Sequence, residues 1–267
     1  MTIYSEPAPA KLNLALHVRG KLPDGRHRLE TVFAFCTDGD TVDAEPADDV
    51  SLSVSGPFAG DLSSENLVMT AAMALRAAAG VATGAALQLR KNLPVASGIG
   101  GGSADAAAAL RLLTRLWKID PAHAAAVAPG LGSDVPACLL SLTARGDGAG
   151  DDLRLIGDPS ISGTPVLLIN PRMPLSTSEV FARWDGVDRG SLGDWHEGRN
   201  DLQAPAIALA PEIADVLAWL DERSGATFFR MSGSGATCFA LFDGDAARDA
   251  AAEAVPEDWW HLASHLR

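Results

Sequence analysis

The stretch PVASGIGGGSADAA, Pro94–Ala107, places four glycines (Gly98, Gly100, Gly101 and Gly102) within five positions and follows them with an alanine-rich run. That run, SADAAAALRLLTRLW (Ser103–Trp117), predicts a strong helix opened by a serine cap. A helix start exposes N–H groups with no intrahelical partner and carries about half a positive charge. Glycines ahead of it let the backbone curl and let a bulky group approach closely. The combination reads as an anion site, usually for phosphate. The Ser103 hydroxyl could bond a phosphate or a magnesium ion.

Two familiar phosphate loops do not fit. A P-loop requires Gly-Lys followed by Ser or Thr, and no lysine follows these glycines. A dinucleotide fingerprint has glycine at its sixth place; counted from Gly98, that place holds Ser103. Asp105, in the first helical turn, would repel an anion unless it points away. The alternative is a glycine-rich connection needed only for tight packing.

Upstream of the loop, ALQLRKNLP (Ala86–Pro94) reads as the strand that leads into it. NLVMTAAMALRAAAG (Asn66–Gly80) reads as a helix with Asn66 as N-cap and Gly80 just past its end. DVSLSVSG and LNLALHV read as strands, and ETVFAFCTDGDTVDAEP as two strands around the turn TDGD. Downstream, a short helix, a turn at Pro129–Gly132 and a second helix after Asp134 are expected. TARGDGAGDDLRL suits a hairpin, and TPVLLINP a buried strand. STSEVFARW opens with a Ser-x-x-Glu capping box. Pro211–Gly225 predicts an amphipathic helix, TFFRMSGSGATCFALF two strands interrupted by Gly-Ser-Gly, and DAARDAAAEAV a last surface helix. Hairpin-linked early strands among helices predict an α+β fold rather than a doubly wound parallel sheet. The boundary is placed near Gly157–Gly163, giving domains 1–157 and 158–267.

The chain has 267 residues, enough for one large or two small domains. Hydrophobic residues at 47% and charged residues at 21% are ordinary for a globular protein. A net charge of −13 argues against non-specific binding to nucleic acid or anionic membrane, which need basic patches. It leaves room for a small anionic ligand at one local site. Cys36, Cys138 and Cys238 are odd in number and far apart, so reduced buried thiols are expected rather than disulfides or a zinc ribbon. The opening residues lack a basic start followed by an apolar core, and no uncharged apolar run approaches the ~20 residues of a membrane span. A cytoplasmic location is expected. HEGRN lacks the second histidine of a zinc motif, and His261 and His265, four apart, are read as surface residues.

Two further stretches join the glycine loop: PAKLNLAL (Pro9–Leu16) and MSGSGATCFALF (Met231–Phe242). The trio resembles the three motifs of the GHMP kinases, the family of galactokinase, homoserine kinase, mevalonate kinase and phosphomevalonate kinase. The resemblance covers nearly the whole chain. PDGRH (Pro23–His27), GSDVPACLL (Gly132–Leu140) and RNDLQAPA (Arg199–Ala206) are similar to the branch that acts on a cytidylyl sugar alcohol. The resemblance implies transfer of the γ-phosphate of ATP, with Mg2+, to the 2-hydroxyl of a cytidylyl-capped methylerythritol in non-mevalonate isoprenoid precursor synthesis. It implies an N-terminal ATP-binding domain of ribosomal S5 domain 2-like type, a C-terminal ferredoxin-like domain, and a site in the cleft between them. The expected partner is a small-molecule substrate, with no nucleic acid and no membrane, and the expected state is a monomer or weak homodimer.

Residue by residue, the resemblance makes Asp134 the base that accepts the hydroxyl proton, with Lys11 beside it to keep it ionised and to stabilise the attacking oxygen. It assigns ATP to Pro94, Val95, Ala96, Ser97, Gly98, Ile99, Gly100, Gly101, Gly102, Ser103 and Ala104, with Asn66 near the adenine. It assigns the substrate to Asn13, Arg26, His27 and Phe181. Arg26 stands where the family usually has a stacking tyrosine; a planar guanidinium can also stack. Each residue has a plainer role open to it: a solvated strand lysine for Lys11, helix N-caps for Asp134 and Asn66, a structural histidine for His27, a core residue for Phe181, a strand turn for Gly233–Gly235. Lys91 or Arg90 could assist ATP binding, and no metal ligand beyond Ser103 suggests itself. The competing functions are a kinase of another small alcohol, homoserine or mevalonate, and a catalytically silent nucleotide-binding homologue.

Overall fold

In the computed structural model, which describes residues 3–62 and 66–267, the chain opens with two long strands, β1 (Tyr4–Lys21) and β2 (His27–Ala47). There follow β3 (Val50–Ser55), α1 (Leu67–Ala79), β4 (Gly84–Arg90), α2 (Gly101–Trp117), α3 (Pro121–Leu131) and α4 (Val135–Leu140). A hairpin, β5 (Ala144–Asp147) and β6 (Asp152–Leu155), leads to β7 (Pro165–Asn170), α5 (Thr177–Ala182), α6 (Gln203–Leu209) and α7 (Glu212–Asp221). The described chain closes with β8 (Ala226–Met231), β9 (Cys238–Phe242), α8 (Asp245–Glu253) and β10 (Trp260–His265).

Contacts group these residues into two units that are not contiguous in sequence, unlike the 1–157 and 158–267 division. The first comprises the chain through Ala10, Asp38–Val95 and Gly100–Ser141; the second comprises Lys11–Thr37, Ala96–Ile99 and Leu142–Arg267.

In the first unit, β3 and β4 pair in parallel with α1 as their crossover, and β4 pairs antiparallel with residues 41–47 of β2. The caps of α1 are those read from the sequence. The Asn66 side chain accepts from the Val68 N–H at 2.9 Å, and Gly80 ends the helix at φ 63°. Helix α2 packs against α1, α3 and α4. Its residues 104–110 are buried without interruption, so its alanines do more than favour helix: small side chains let several neighbours approach at once. Leu110, Leu112 and Leu113 fill the remaining space.

In the second unit, residues 31–33 of β2 pair with β5, and β5 with β6. The rest follows a β-α-β-β-α-β order, and its sheet runs β10-β7-β9-β8 with every pair antiparallel. That is the ferredoxin-like arrangement. Its helical side is filled by Leu167, Ile169, Val180, Ile213, Val216 and Leu220 against Phe242.

Three local expectations are corrected. TDGD does not turn the chain: β2 runs straight through it. A Cβ at Gly39 would lie 2.2 Å from the Ala8 carbonyl oxygen, so this glycine serves a close approach of β1 rather than a bend. Helix α2 begins at Gly101, not Ser103; its N-cap is Gly100, in the left-handed region at φ 65°. Helix α3 continues through Pro129 to Leu131. The chain's last segment is a strand, β10, and His261 and His265 lie on it; His265 pairs with Asp245 at 2.7 Å. The three cysteines are buried, as expected.

Candidate active site

Within the second unit, Lys11 and Asn13 sit on one face of β1, since alternate strand residues share a side. Both are 3% exposed, which sets aside the solvated reading of Lys11. The Lys11 ammonium donates to Asn13 Oδ1 at 2.8 Å and lies 5.6 Å from the centre of the Phe33 ring. Asn13 Nδ2 donates to Thr31 Oγ1 at 2.8 Å, and that hydroxyl donates onward to the Ala15 carbonyl at 2.6 Å. The amide is therefore oriented by its own neighbours, with its oxygen turned to the lysine.

The same strand is tied to the other two motifs. The Lys11 N–H donates to the Ile99 carbonyl at 2.9 Å, and the Asn13 N–H to Ser232 Oγ at 3.1 Å. Ser232 Oγ donates to the Gly98 carbonyl at 3.1 Å, and the Thr237 N–H to the Ser97 carbonyl at 3.1 Å. Gly98 adopts φ 79°; a Cβ there would lie 2.6 Å from the Gly235 carbonyl oxygen and 2.7 Å from that of Ser232. Gly233, at φ 55°, would meet the Gly98 carbonyl at 2.9 Å and Asn13 Oδ1 at 3.2 Å. Gly-Ser-Gly is thus a turn packed on residues 97–99.

Asn200 braces that turn. Its Nδ2 donates to the carbonyls of Met231 and Gly233, each at 2.8 Å, while its neighbour Asp201 accepts from the Val18 N–H at 2.8 Å. Thr31, Ser232 and Asn200 were not singled out from the sequence. Ser232 and Asn200 lie within the quoted stretches MSGSGATCFALF and RNDLQAPA, and Thr31 is a polar residue just before the apolar run VFAF of β2.

His27, at the start of β2, stacks on Phe181 with ring centroids 4.6 Å apart, and Trp184 meets it edge-on at 5.8 Å. Phe181 lies in the last turn of α5 and Trp184 just past the helix end, and both rings meet His27. Phe181 is half-buried and packs both against the apolar core of this unit and on His27, and Trp184 is a member of the ring cluster that sequence reasoning missed. Burial, aided by Lys21, holds His27 below the usual histidine range. Arg26 is exposed in the turn between β1 and β2. Its guanidinium pairs with Asp24 at 2.8 Å and Asp151 at 3.3 Å. Its hydrogen bonds hold the Asp24 carboxyl below the usual range.

Within the first unit lie Asn66, Pro94, Val95, Gly100–Ala104 and Asp134. No side chain caps α2. Its first-turn N–H groups lack intrahelical partners by construction, and Gly102 is exposed, with nothing within 4 Å of where its Cβ would stand. Asp105 does point away from the surface: it is buried on Lys91, at 2.7 Å. Lys91 is itself enclosed, so it cannot touch a nucleotide. Asp134 precedes α4 at the N-cap position, yet its side chain makes no cap hydrogen bond, which removes the capping reading. Among the described residues no three His, Cys, Asp or Glu side chains cluster as a metal cage. Mg2+ with a nucleotide needs few protein ligands, because the phosphates and water supply most of them. No described helix is long and apolar enough to cross a membrane.

Comparison with known proteins shows the family. Residues 66–141 match the GHMP kinases N terminal domain, and residues 185–260 the GHMP kinases C terminal model. The chain is 52% identical to a 4-diphosphocytidyl-2-C-methyl-D-erythritol kinase of Rhizorhabdus wittichii, covering 98% of this chain and 94% of the relative. It is 49% identical to the protein of that name from Novosphingobium aromaticivorans, covering 98% and 92%. A crystal structure of 4-(cytidine 5'-diphospho)-2C-methyl-D-erythritol kinase superposes with a TM-score of 0.84 at 32% identity, covering 98% of each chain. The chain belongs to the GHMP kinase family, in the branch of the 4-diphosphocytidyl-2-C-methyl-D-erythritol kinases.

Proposed function

We propose that the chain transfers the γ-phosphate of ATP to the 2-hydroxyl of 4-diphosphocytidyl-2-C-methyl-D-erythritol, a step of isoprenoid precursor synthesis, in the cytoplasm. The single observation that carries the site assignment is the hydrogen-bonded chain Lys11–Asn13–Ser232–Gly98, in which parts of all three sequence motifs meet within one unit. A buried ammonium, oriented by an amide that is itself fixed, suits charge stabilisation in a phosphoryl transfer, where positioning and electrostatics do most of the work.

In this reading Asp134 accepts the proton of the substrate hydroxyl, a contribution of about 10²–10⁴-fold. Lys11 stabilises the negative charge that grows on the attacking oxygen, and Asn13 holds Lys11. The backbone of Pro94–Ala104 receives the phosphates at the uncapped start of α2, where N–H groups and dipole favour an anion. Asn66 lies near the adenine. Ser103 is the residue that would hold Mg2+, which when bound neutralises phosphate charge. His27, Phe181 and Arg26 receive the cytidylyl group, with Arg26 in place of the family's tyrosine; its two carboxylate partners keep the guanidinium at the turn. The domain bounds 1–157 and 158–267 fit this reading, because their junction falls between the two matched stretches.

The test is ADP release from ATP and Mg2+ with the cytidylyl alcohol, homoserine and mevalonate in parallel. Turnover with the cytidylyl alcohol alone is expected. Turnover with either other alcohol, or with none, would overturn the assignment.

A further inference from the structure

Lys91 follows directly on β4, and it is 1% exposed. Its ammonium donates to Asp40 Oδ2 at 2.5 Å and to Asp105 Oδ2 at 2.7 Å. Asp40, on β2, is 1% exposed, and Asp105, on α2, is 2% exposed. The second oxygen of Asp40 is used as well: Oδ1 accepts from the N–H groups of Asn92 at 2.5 Å and Leu93 at 2.8 Å. The backbone of Lys91 is also held, its N–H donating to the Ser55 carbonyl and its carbonyl accepting from the Phe58 N–H. Asn92 and Leu93 immediately precede Pro94, and Asp105 immediately follows Ala104. One ammonium therefore joins the chain on both sides of the glycine loop, and all of its partners lie in the first unit.

The arrangement is demanding. A buried ammonium is unfavourable without partners, and two carboxylates facing one ammonium carry an excess of negative charge. Burial pushes the Asp105 carboxyl up to about 8, and its Oδ1 has no hydrogen-bond partner among the described residues. The charged groups acting on it are Lys91 and Asp40. A Cβ at Gly101 would lie 2.9 Å from Lys91 Nζ, so the ammonium sits directly behind the first residue of α2. Lys91 is too enclosed to touch a ligand itself.

We propose that Lys91, Asp40 and Asp105 are positioning residues of the nucleotide site, holding the first turn of α2 and the approach Asn92–Leu93 in the geometry that presents backbone N–H groups to the phosphates. This rests on the reading of Pro94–Ala104 as the ATP loop. The three residues act through the backbone they hold.

The experiment compares wild type, Lys91→Met and Asp105→Asn. It reads the affinity for a non-hydrolysable ATP analogue with Mg2+ by calorimetry, together with kcat and the KM of each substrate. Lys91→Met is expected to weaken analogue binding by about 10-fold or more and to raise the ATP KM in step, since small misplacements at such sites act this strongly. The KM of the cytidylyl alcohol should stay within about 2-fold. Asp105→Asn, which takes a carboxylate from Lys91, should weaken analogue binding by about 3-fold or more and raise the ATP KM in step while kcat stays within about 2-fold, a split that a purely structural role would not produce. If Lys91→Met does not fold, Asp105→Asn decides alone. Folded variants with wild-type affinity and wild-type ATP KM would overturn the positioning role while leaving the ATP loop intact. Failure of wild type to bind the analogue would instead sink the ATP-loop reading, and this inference with it.

Discussion

Gly98 and Gly102 stand four residues apart in one glycine run, and their surroundings are opposite. Gly98 lies at φ 79° with backbone oxygens of Ser232 and Gly235 within 2.7 Å of where a Cβ would be. Gly102 lies within α2, is exposed, and has nothing within 4 Å of that point. The packing account of the run therefore holds for its first glycine and fails for its last. A glycine with no steric reason inside a helix is a conformational loss of about 1 kcal/mol relative to alanine, and on the proposed reading a phosphate seated against the backbone there would supply the reason. The contrast separates what the loop does for the fold from what it does for a ligand, and it can be attacked experimentally.

The largest effect tests whether the open arm serves chemistry at all. Asp134→Asn should lower kcat by about 10²–10⁴-fold with analogue binding retained. Full turnover in a folded Asp134→Asn protein would leave the open arm without a base. Next comes the packed arm. Gly98→Ala forces a side chain into backbone oxygens at a left-handed position, and chemical denaturation should show a loss of about 3 kcal/mol. A loss under about 1 kcal/mol would erase the distinction between the arms.

Gly102→Ala should do the reverse. Helix propensity predicts unchanged or slightly raised stability, by up to about 1 kcal/mol, while the ATP KM rises about 10-fold as the methyl enters the space left for phosphate. An unchanged KM would turn Gly102 into an unexplained glycine. The smallest effect sharpens the picture behind the open arm. Asp105 in the fold titrates near 8 rather than near the ordinary 3.9. The folded protein thus keeps a proton that the unfolded chain has already released, and this contribution to stability declines as pH rises through that window. Between pH 7 and 8, wild type should lose up to about 1.4 kcal/mol per pH unit relative to Asp105→Asn, read from parallel denaturation curves. Parallel slopes would place Asp105 in its ordinary ionised state.

Much of this molecule is legible locally. The caps of α1 by Asn66 and Gly80 and the Ser176 cap of α5, which accepts from the Glu179 N–H, depend on residues a few positions apart. The Gly-Ser-Gly turn between β8 and β9 and the motifs that carry the family resemblance are likewise visible in short stretches. The misreadings share one cause. TDGD has turn composition, yet Gly39 is required by the Ala8 backbone beside it. GGGSAD reads as a serine-capped start, yet Gly100 can adopt φ 65° and begin the helix two residues earlier. From the sequence Lys91 could assist ATP binding, yet its ammonium is enclosed by Asp40 and Asp105.

By itself, the sequence determined the family and the mixed helix and strand order, because these follow from short-range backbone preference and residue spacing. Only the tertiary structure decided which glycines pack and which lie open, that Lys11 is oriented by Asn13 and Thr31, and that Lys91 is locked. Those outcomes depend on strand pairing that brings residues 18 to 219 positions apart within hydrogen-bonding reach, and burial then sets which charges must be matched.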